Sequence, residues 1–339
     1  MTLFLAVCTV VASWAMTHYV RRYALKGHLM DIPSVRSSHS IPTPRGGGLA
    51  IVIVFSIATL VWQFIGANLY WTDLVALLGA ACGVALIGFI DDHGHIPARW
   101  RLLGHFACAA WGLWWLQGFP TVMINNTAIN FGWLGNAFAL FYLVWLLNLY
   151  NFMDGIDGIA SVEAICVGAG GAALFWITGH GAIAWLPLLL VAAVLGFLIL
   201  NFPPARIFMG DAGSGFLGII LGCLSILAAR LDPAFFVAWI ILLGVFVTDA
   251  SFTLFRRLLR GEKVYEAHRS HAYQSAARFH NGHRPVTLAV LLINTILLIP
   301  TALLVGTGYL SGVIGVAVAY VPLIYLAVRY EAGRPESSR

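Results

Sequence analysis

Apolar stretches recur along the chain at lengths that suit a lipid bilayer, and the polar residues gather between them. Crossing a bilayer core takes about 20 apolar residues in helical form. By that measure about eleven segments qualify, at 3–20, 47–65, 74–90, 102–117, 134–147, 159–177, 183–200, 215–229, 234–255, 286–305 and 310–328. One connection differs: TVMINNTAINFG, 121–132, alternates apolar and polar residues about an Asn-Asn pair, which predicts a small β-hairpin. No internal repeat, low-complexity linker or separate soluble domain interrupts the series. The pattern predicts an all-α polytopic membrane protein with one small hairpin, 1–329 forming a single integral membrane domain and 330–339 a tail.

Composition agrees, with 60% hydrophobic and 10% charged residues in 339. Five cysteines, Cys8, Cys82, Cys108, Cys166 and Cys223, all lie inside apolar runs without ligand-like spacing, and read as small buried hydrophobes. The net charge of +5 does not point to nucleic acid, because the basic residues sort by loop. The first span lacks basic residues before it and carries Arg21, Arg22 and Lys26 after it, the reverse of a cleaved signal peptide. The positive-inside rule then puts the N-terminus outside. Alternating from there, Arg36 and Arg45, Arg99 and Arg101, Arg206, and the cluster from Arg256 to Arg284 all fall on the cytoplasmic side, as does the C-terminus. The opposite loops contain no Lys or Arg, and only Arg230 sits at an outer helix end. An odd number of spans, N-out and C-in, follows.

With that topology every unusual polar cluster lands on the cytoplasmic face: IPTPRGGG, GFIDDHGHIPARWRLL, NLYNFMDGIDG, NFPPARIFMGDAGSGFLG and EAHRSHAYQ. Acids at the ends of membrane helices are functional candidates, since desolvating a carboxylate is expensive unless a cation or water meets it. Asp91 and Asp92 read equally well as solvated caps near Arg99 or Arg101. As helical neighbours they point about 100° apart, and both face one ligand only if the helix has ended, as Gly94 and Pro97 imply. Asn148, Asn151, Asp154 and Asp157 recur every third residue. A step of three drifts by about 60°, so the four cannot line one face of a regular helix. An ordinary Asp-Gly turn explains the glycines but not the asparagines or the spacing.

Asp211 stands among small residues just before a span, where backbone N–H groups and a helix N-terminus can approach a phosphate; the plain alternative is an N-cap in a Gly-rich connection. His268, Arg269 and His271, with His280 and His283 nearby, offer histidine spacings that zinc could use. The loop has no Cys, and its arginines suit phosphate oxygens better than a dication. Carboxylates suit Mg²⁺, and Mg²⁺ suits a diphosphate. The combination favours phosphoryl transfer at a membrane surface.

The order GFIDD, NxxNxxDGxDG, FMGDxGSxxLG and HRSHxYQ, spread over about 33–274, resembles the polyprenyl-phosphate N-acetylhexosamine-1-phosphate transferases, which include the bacterial phospho-N-acetylmuramoyl-pentapeptide transferase. SSHSIPTPRGGG and HIPARWRLLGH look closest to the branch initiating O-antigen or related surface polysaccharides. The resemblance implies transfer of a sugar 1-phosphate from a UDP-N-acetylhexosamine to undecaprenyl phosphate with release of UMP. It implies a requirement for Mg²⁺, with Mn²⁺ as an alternative, a bacterial inner-membrane location with a cytoplasmic active site and, by analogy, a homodimer. Carried over by motif, Asp91 and Asp92 match the acidic pair that deprotonates or positions the lipid phosphate, and Asp92 joins Asp211 as a metal ligand. Asp154 and Asp157, with Asn148 and Asn151, match the nucleotide-sugar motif. Arg45, Arg99, Arg101, His268, Arg269 and His271 are expected near the substrate phosphates or sugar. Many relatives carry Lys three residues after the acidic pair, where this chain has His95. Which sugar is used is not written in the motifs.

A phosphate monoester is already largely ionised at neutral pH, its second pKa being about 6. Positioning and charge neutralisation therefore outweigh deprotonation, which favours direct attack on the β-phosphorus over a covalent aspartyl intermediate. Two rival classes remain. An intramembrane prenyltransferase would use two Asp-rich segments, and only one is evident. A transporter would place its charges near the midplane, whereas here they collect at one face.

Overall fold

The computed structural model describes residues 1–27, 29–33, 41–66, 69–94, 96–124, 127–262 and 268–334. The chain opens with α1 (Thr2–Lys26), a short antiparallel ladder of β1 (Met30–Asp31) with β2 (Thr43–Pro44), then α2 (Gly48–Phe64), α3 (Trp71–Gly94) and α4 (Ala98–Trp115). The hairpin β3 (Val122–Ile124) and β4 (Thr127–Ile129) precedes α5 (Gly132–Met153), α6 (Ile159–Ile177), α7 (Trp185–Asn201) and α8 (Asp211–Leu231). After them come α9 (Pro233–Leu242), α10 (Gly244–Leu259), α11 (Ala272–Phe279), α12 (His283–Ile293), α13 (Ile299–Gly306) and α14 (Gly312–Arg329). Every apolar run read from the sequence is helical. Among the described residues, seven helices are long and apolar enough to cross a membrane, or eight if α9 and α10 count as one span. The expected hairpin is present, pairing Val122 with Ile129 and Ile124 with Thr127; its Asn125-Asn126 tip, His95, Arg36 and Lys263 lie outside the described residues.

The centre of the molecule is α8, whose apolar stretch is wholly buried against α2, α3, α5 and α9. Without a hydrophobic force between helices in lipid, close backbone approach is what holds such a bundle. Gly218 provides it toward α5, since a Cβ there would lie 2.5 Å from Leu147 Cα. Gly88 provides it toward α3: a Cβ would lie 2.6 Å from the Asp211 carbonyl. That contact brings the C-terminal end of α3 onto the N-terminal end of α8, and so Asp92 onto Asp211.

One expected span is not a single helix, and another contains an irregular turn. The run 234–255 bends by 70° between α9 and α10. Gly244 at the junction lets α14 close in, a Cβ there lying 3.1 Å from Leu323, and the polar second half carrying Asp249, Arg256 and Arg257 leaves the axis of the first. The run 286–305 lies within one continuous helix, His283–Gly306, whose middle turn over Asn294–Leu298 is π-helical. Pro300 follows it and has no N–H for the helical ladder. In the turn, Asn294 donates from Nδ2 to Glu163 Oε2 at 2.7 Å, both residues fully buried.

Ala332 is buried, its carbonyl accepts from Arg256 Nη1 at 2.8 Å, and the Gly333 N–H donates to the Ser270 carbonyl at 2.6 Å. The chain through 334 is thus docked under the loop that bears His268 and His271.

Candidate active site

The C-terminal ends of α3, α5 and α7 meet the N-terminal ends of α2, α6, α8 and α12, and a polar cavity of ≈ 260 Å³ opens among them. Its walls draw on all five polar clusters. Backbone hydrogen bonds stitch two of them together: Phe208 N–H donates to the Pro44 carbonyl at 2.8 Å, and Gly47 N–H to the Phe208 carbonyl at 2.9 Å. This fixes the IPTPRGGG turn against FMGDAG and delivers Arg45 to the cavity.

Asp91 and Asp92 both remain inside α3, which runs on to Gly94, so the helix does not end between them as Gly94 and Pro97 had implied. They accordingly diverge. Asp91 accepts the Ile96 N–H at 2.7 Å and pairs with Arg101, outside the cavity lining. Asp92 lines the cavity; its oxygens lie 3.4 Å from the N–H groups of Asp211 and Ala212, and Arg45 Nε stands 3.8 Å from Oδ1. The N-terminus of α8 is therefore capped by a carboxylate. Asp92 thus stands in front of the N–H groups that a phosphate would approach.

The repeated Asn/Asp spacing resolves through the end of α5 at Met153. Asn151 is in the last turn and donates from Nδ2 to Asp211 Oδ1 at 2.9 Å and to Ser214 Oγ at 3.0 Å. The chain then leaves the helix, and Gly158, at φ 74°, turns it into α6. Asp154 and Asp157 both reach the cavity by this route. Asn201, absent from the sequence-based set, holds the turn: its Oδ1 accepts from Gly158 N–H at 3.1 Å and its Nδ2 donates to the Ile207 carbonyl at 3.0 Å. Asn148, one turn earlier, bonds back to the Val144 carbonyl at 2.7 Å and faces a different space.

The carboxylates differ in their support. Asp157 accepts the Ala205 N–H on Oδ2 at 2.9 Å, and its Oδ1 lies 3.1 Å from His283 Nδ1. No group among the described residues donates to the Asp154 carboxylate. Burial pushes its pKa well up, and the nearby charges of Asp211, Asp157 and Asp92 push the same way. Hard oxygen donors crowded together with little compensating charge form a donor set that fits a divalent cation such as Mg²⁺. No three His, Cys, Asp or Glu side chains among the described residues already surround one point. Mg²⁺ commonly takes one or two carboxylates and completes its shell with water and substrate phosphate, so that arrangement still fits.

The basic loop stands beside the cavity, and His268, Arg269 and His271 are outside its lining. His271 caps α11 in a reciprocal capping box with Gln274. Asp249 on α10 anchors the turn, accepting the N–H groups of Ala272 at 2.9 Å and Tyr273 at 2.8 Å, with His271 Nδ1 at 3.2 Å. His268 stacks on His271 with ring centroids 4.8 Å apart. Burial, His271 and Arg257 together push its pKa down to about 3. The ring is therefore held in its neutral form near neutral pH. Gln274 and His283 line the cavity instead. Asp249 did carry a signal, as an acid within an apolar run. Arg99 is exposed over Trp100, 5.7 Å from the ring centroid.

A second, apolar groove of ≈ 880 Å³ runs between α4, α5, α10 and α14, walled by Phe141, Val144, Trp145, Phe252, Phe255 and Tyr320 among others. Asn148 and Arg101 lie in its wall. Arg101 is the link between the two spaces, since Nη1 is 3.6 Å from Asp211 Oδ2.

The polytopic helical bundle thus sets an acidic cavity next to an apolar groove. Residues 74–229 match the family described as Glycosyl transferase family 4. A probable undecaprenyl-phosphate N-acetylglucosaminyl 1-phosphate transferase of Bacillus subtilis (strain 168) is 32% identical over 289 residues, covering 83% of this chain and 78% of its own. A phospho-N-acetylmuramoyl-pentapeptide-transferase of Halalkalibacterium halodurans is 28% identical, over 78% of this chain and 85% of its own. A decaprenyl-phosphate N-acetylglucosaminephosphotransferase of Mycolicibacterium smegmatis is 26% identical, over 83% and 77%. The chain belongs to glycosyl transferase family 4, among the polyprenyl-phosphate sugar-1-phosphate transferases. The matched residues include Asp91, Asp92, Asn151, Asp154, Asp157 and Asp211, and stop before the basic loop and His283.

Proposed function

We propose that this protein transfers an N-acetylhexosamine 1-phosphate from a UDP-sugar to undecaprenyl phosphate, giving the lipid diphosphate sugar and UMP, and so initiates O-antigen or another surface polysaccharide. The observation that carries the reading is the meeting of the acidic cavity and the apolar groove at Arg101. A polyprenyl tail suits the groove, its phosphate suits Arg101, and a nucleotide diphosphate suits the cavity. An oxygen of the lipid phosphate attacks the β-phosphorus, a new P–O bond forms, and the bond to the α-phosphate breaks with UMP as leaving group. Asp211 and Asp92 would hold Mg²⁺ or Mn²⁺, with Asp154 close by, and that ion supplies charge neutralisation at the diphosphate. The residues of the chain align the two substrates and keep the acceptor phosphate beside a cation.

Eleven spans with N-out and C-in, forming one membrane domain, fit the helix ends gathered at the site, because each alternate connection then carries the basic loops. The location that follows is the bacterial cytoplasmic membrane with the site on its inner face, and a homodimer is part of the same reading. The test uses detergent-purified protein, undecaprenyl phosphate, Mg²⁺ and a panel of UDP-N-acetylhexosamines, with UMP release measured with and without EDTA. Lipid-dependent UMP from one donor, abolished by EDTA and restored by excess Mg²⁺, is expected. Silence from folded protein across the panel removes the reading, and pyrophosphate as product would make the protein a prenyltransferase.

A further inference from the structure

We propose that Tyr273 is a positioning residue for the transfer: its hydroxyl, presented by the basic loop, sets the backbone on both sides of Asp154 and so the place of that carboxylate in the cavity. The inference rests on the nucleotide-sugar reading of the cavity. His268, Arg269 and His271 stay out of the cavity lining, and Tyr273 is the side chain that ties their loop to it. Its Oη donates to the Phe152 carbonyl at 3.0 Å, in the last turn of α5, where carbonyls lack a partner within the helix. Beyond Asp154, the Gly155 N–H faces the same oxygen. One buried phenol thus joins the residue two before Asp154 to the residue just after it.

The tie is fixed at both ends. On the loop side, the Tyr273 N–H donates to Asp249 Oδ2 at 2.8 Å, and the ring stacks on His271 with centroids 5.6 Å apart and planes 24° apart. On the other side Gly155 leaves the hydroxyl its room: a Cβ there would lie 2.1 Å from Tyr273 Oη and 3.1 Å from Cζ. The Asp154 carboxylate has no donor among the described residues, so its place depends on the backbone that carries it. That backbone also joins the two substrate spaces, since Phe152 lines the apolar groove while Asp154 and Gly155 line the acidic cavity.

Two substitutions at the contact test this in the full-length purified protein, with undecaprenyl phosphate and the UDP-sugar active in the panel. Tyr273→Phe keeps the ring and removes only the hydroxyl. Its kcat is expected to fall by about 10-fold or more, because a displacement of about 1 Å at a reacting centre can cost about 10²-fold, while KM for both substrates holds. Gly155→Ala drives the hydroxyl off the turn and should lose at least as much in the wild-type background. Combined with Tyr273→Phe, where Cζ at 3.1 Å is the nearest remaining atom of that side chain, the alanine should cost less than about a further 3-fold. Fully additive losses would mean that the alanine strains the turn by itself, and they overturn the proposal. Tyr273→Phe that unfolds at a lower temperature yet turns over at the wild-type rate would make the hydroxyl a structural tie alone, and overturns it too. If Tyr273→Phe does not purify folded, Gly155→Ala decides: a lower kcat at unchanged KM supports the role, and an unchanged kcat removes it. A silent wild-type protein overturns the nucleotide-sugar reading itself, whereas an active one indifferent to both substitutions overturns this inference alone.

Discussion

At the scale of single residues, neighbours in the chain have separated jobs. Asp154 has no donor among the described residues and is pressed by like charges, so Asp154→Asn should fold normally and lower kcat by about 10²-fold or more; near-wild-type turnover would remove it from the site. Asp91 and Arg101 form one contact, and Asp91→Asn and Arg101→Ala should each impair turnover through that same loss. The double variant is then no worse than the more damaged single one, which a double-mutant cycle on kcat/KM reads directly. Additive losses would mean that Asp91 acts on substrate by itself. His268 gives a pH effect. Its folded pKa of about 3 is below its ordinary 6.5, so between those values the unfolded chain takes a proton that the native ring refuses. Stability therefore falls as pH drops from about 6.5 toward 3, and His268→Gln should flatten that acid limb of the unfolding curve without moving the pH profile of turnover.

At the scale of elements, the caps decide where the chemistry stands. Asp249 closes the N-terminus of α11 with two backbone N–H bonds, and its removal leaves both donors buried. Asp249→Ala should cost about 1–3 kcal/mol locally, seen as faster proteolysis at 268–272 and lower turnover, with the helical far-UV signal retained; unchanged cleavage would show that His271 and Gln274 hold the turn alone. Much of this layer was legible in the sequence. The apolar runs marked every long helix, and the alternation about Asn125-Asn126 marked the hairpin. The drift of a three-residue repeat meant that Asn148, Asn151, Asp154 and Asp157 could not share one helical face, and α5 does end at Met153. The rest depended on contacts distant in the chain. Gly94 and Pro97 implied an early end to α3, whereas its close fit on α8 through Gly88 keeps the helix intact past both aspartates. Asn201 and His283 carry no motif of their own. They matter because Gly158 and Asp157 come within 3.1 Å of them, a proximity that arises only once α7 and α12 have packed.

At the scale of the molecule, the bend between α9 and α10 has the largest consequence. A straight helix over 234–255 would continue the bundle, whereas the 70° turn sends α10 along the side of α5 and makes Val247, Phe252 and Phe255 one wall of the apolar groove. The opposite wall, from α4 and α5, includes Arg101, which touches the acidic cavity. Burying one aromatic side chain's worth of apolar surface contributes about 1.5–3 kcal/mol, or roughly 10- to 100-fold in binding. Phe255 is exposed on the wall and bears little of the fold, so Phe255→Asn should raise KM for undecaprenyl phosphate by up to about that factor. KM for the UDP-sugar should stay unchanged, because the nucleotide occupies the other space. A prenyl phosphate too short to reach Phe255 should be indifferent to the substitution, which distinguishes loss of a tail contact from general damage. Equal effects on both substrates, or on short and long acceptors alike, would assign the groove to ordinary membrane lipid and leave the polyprenyl chain to another path.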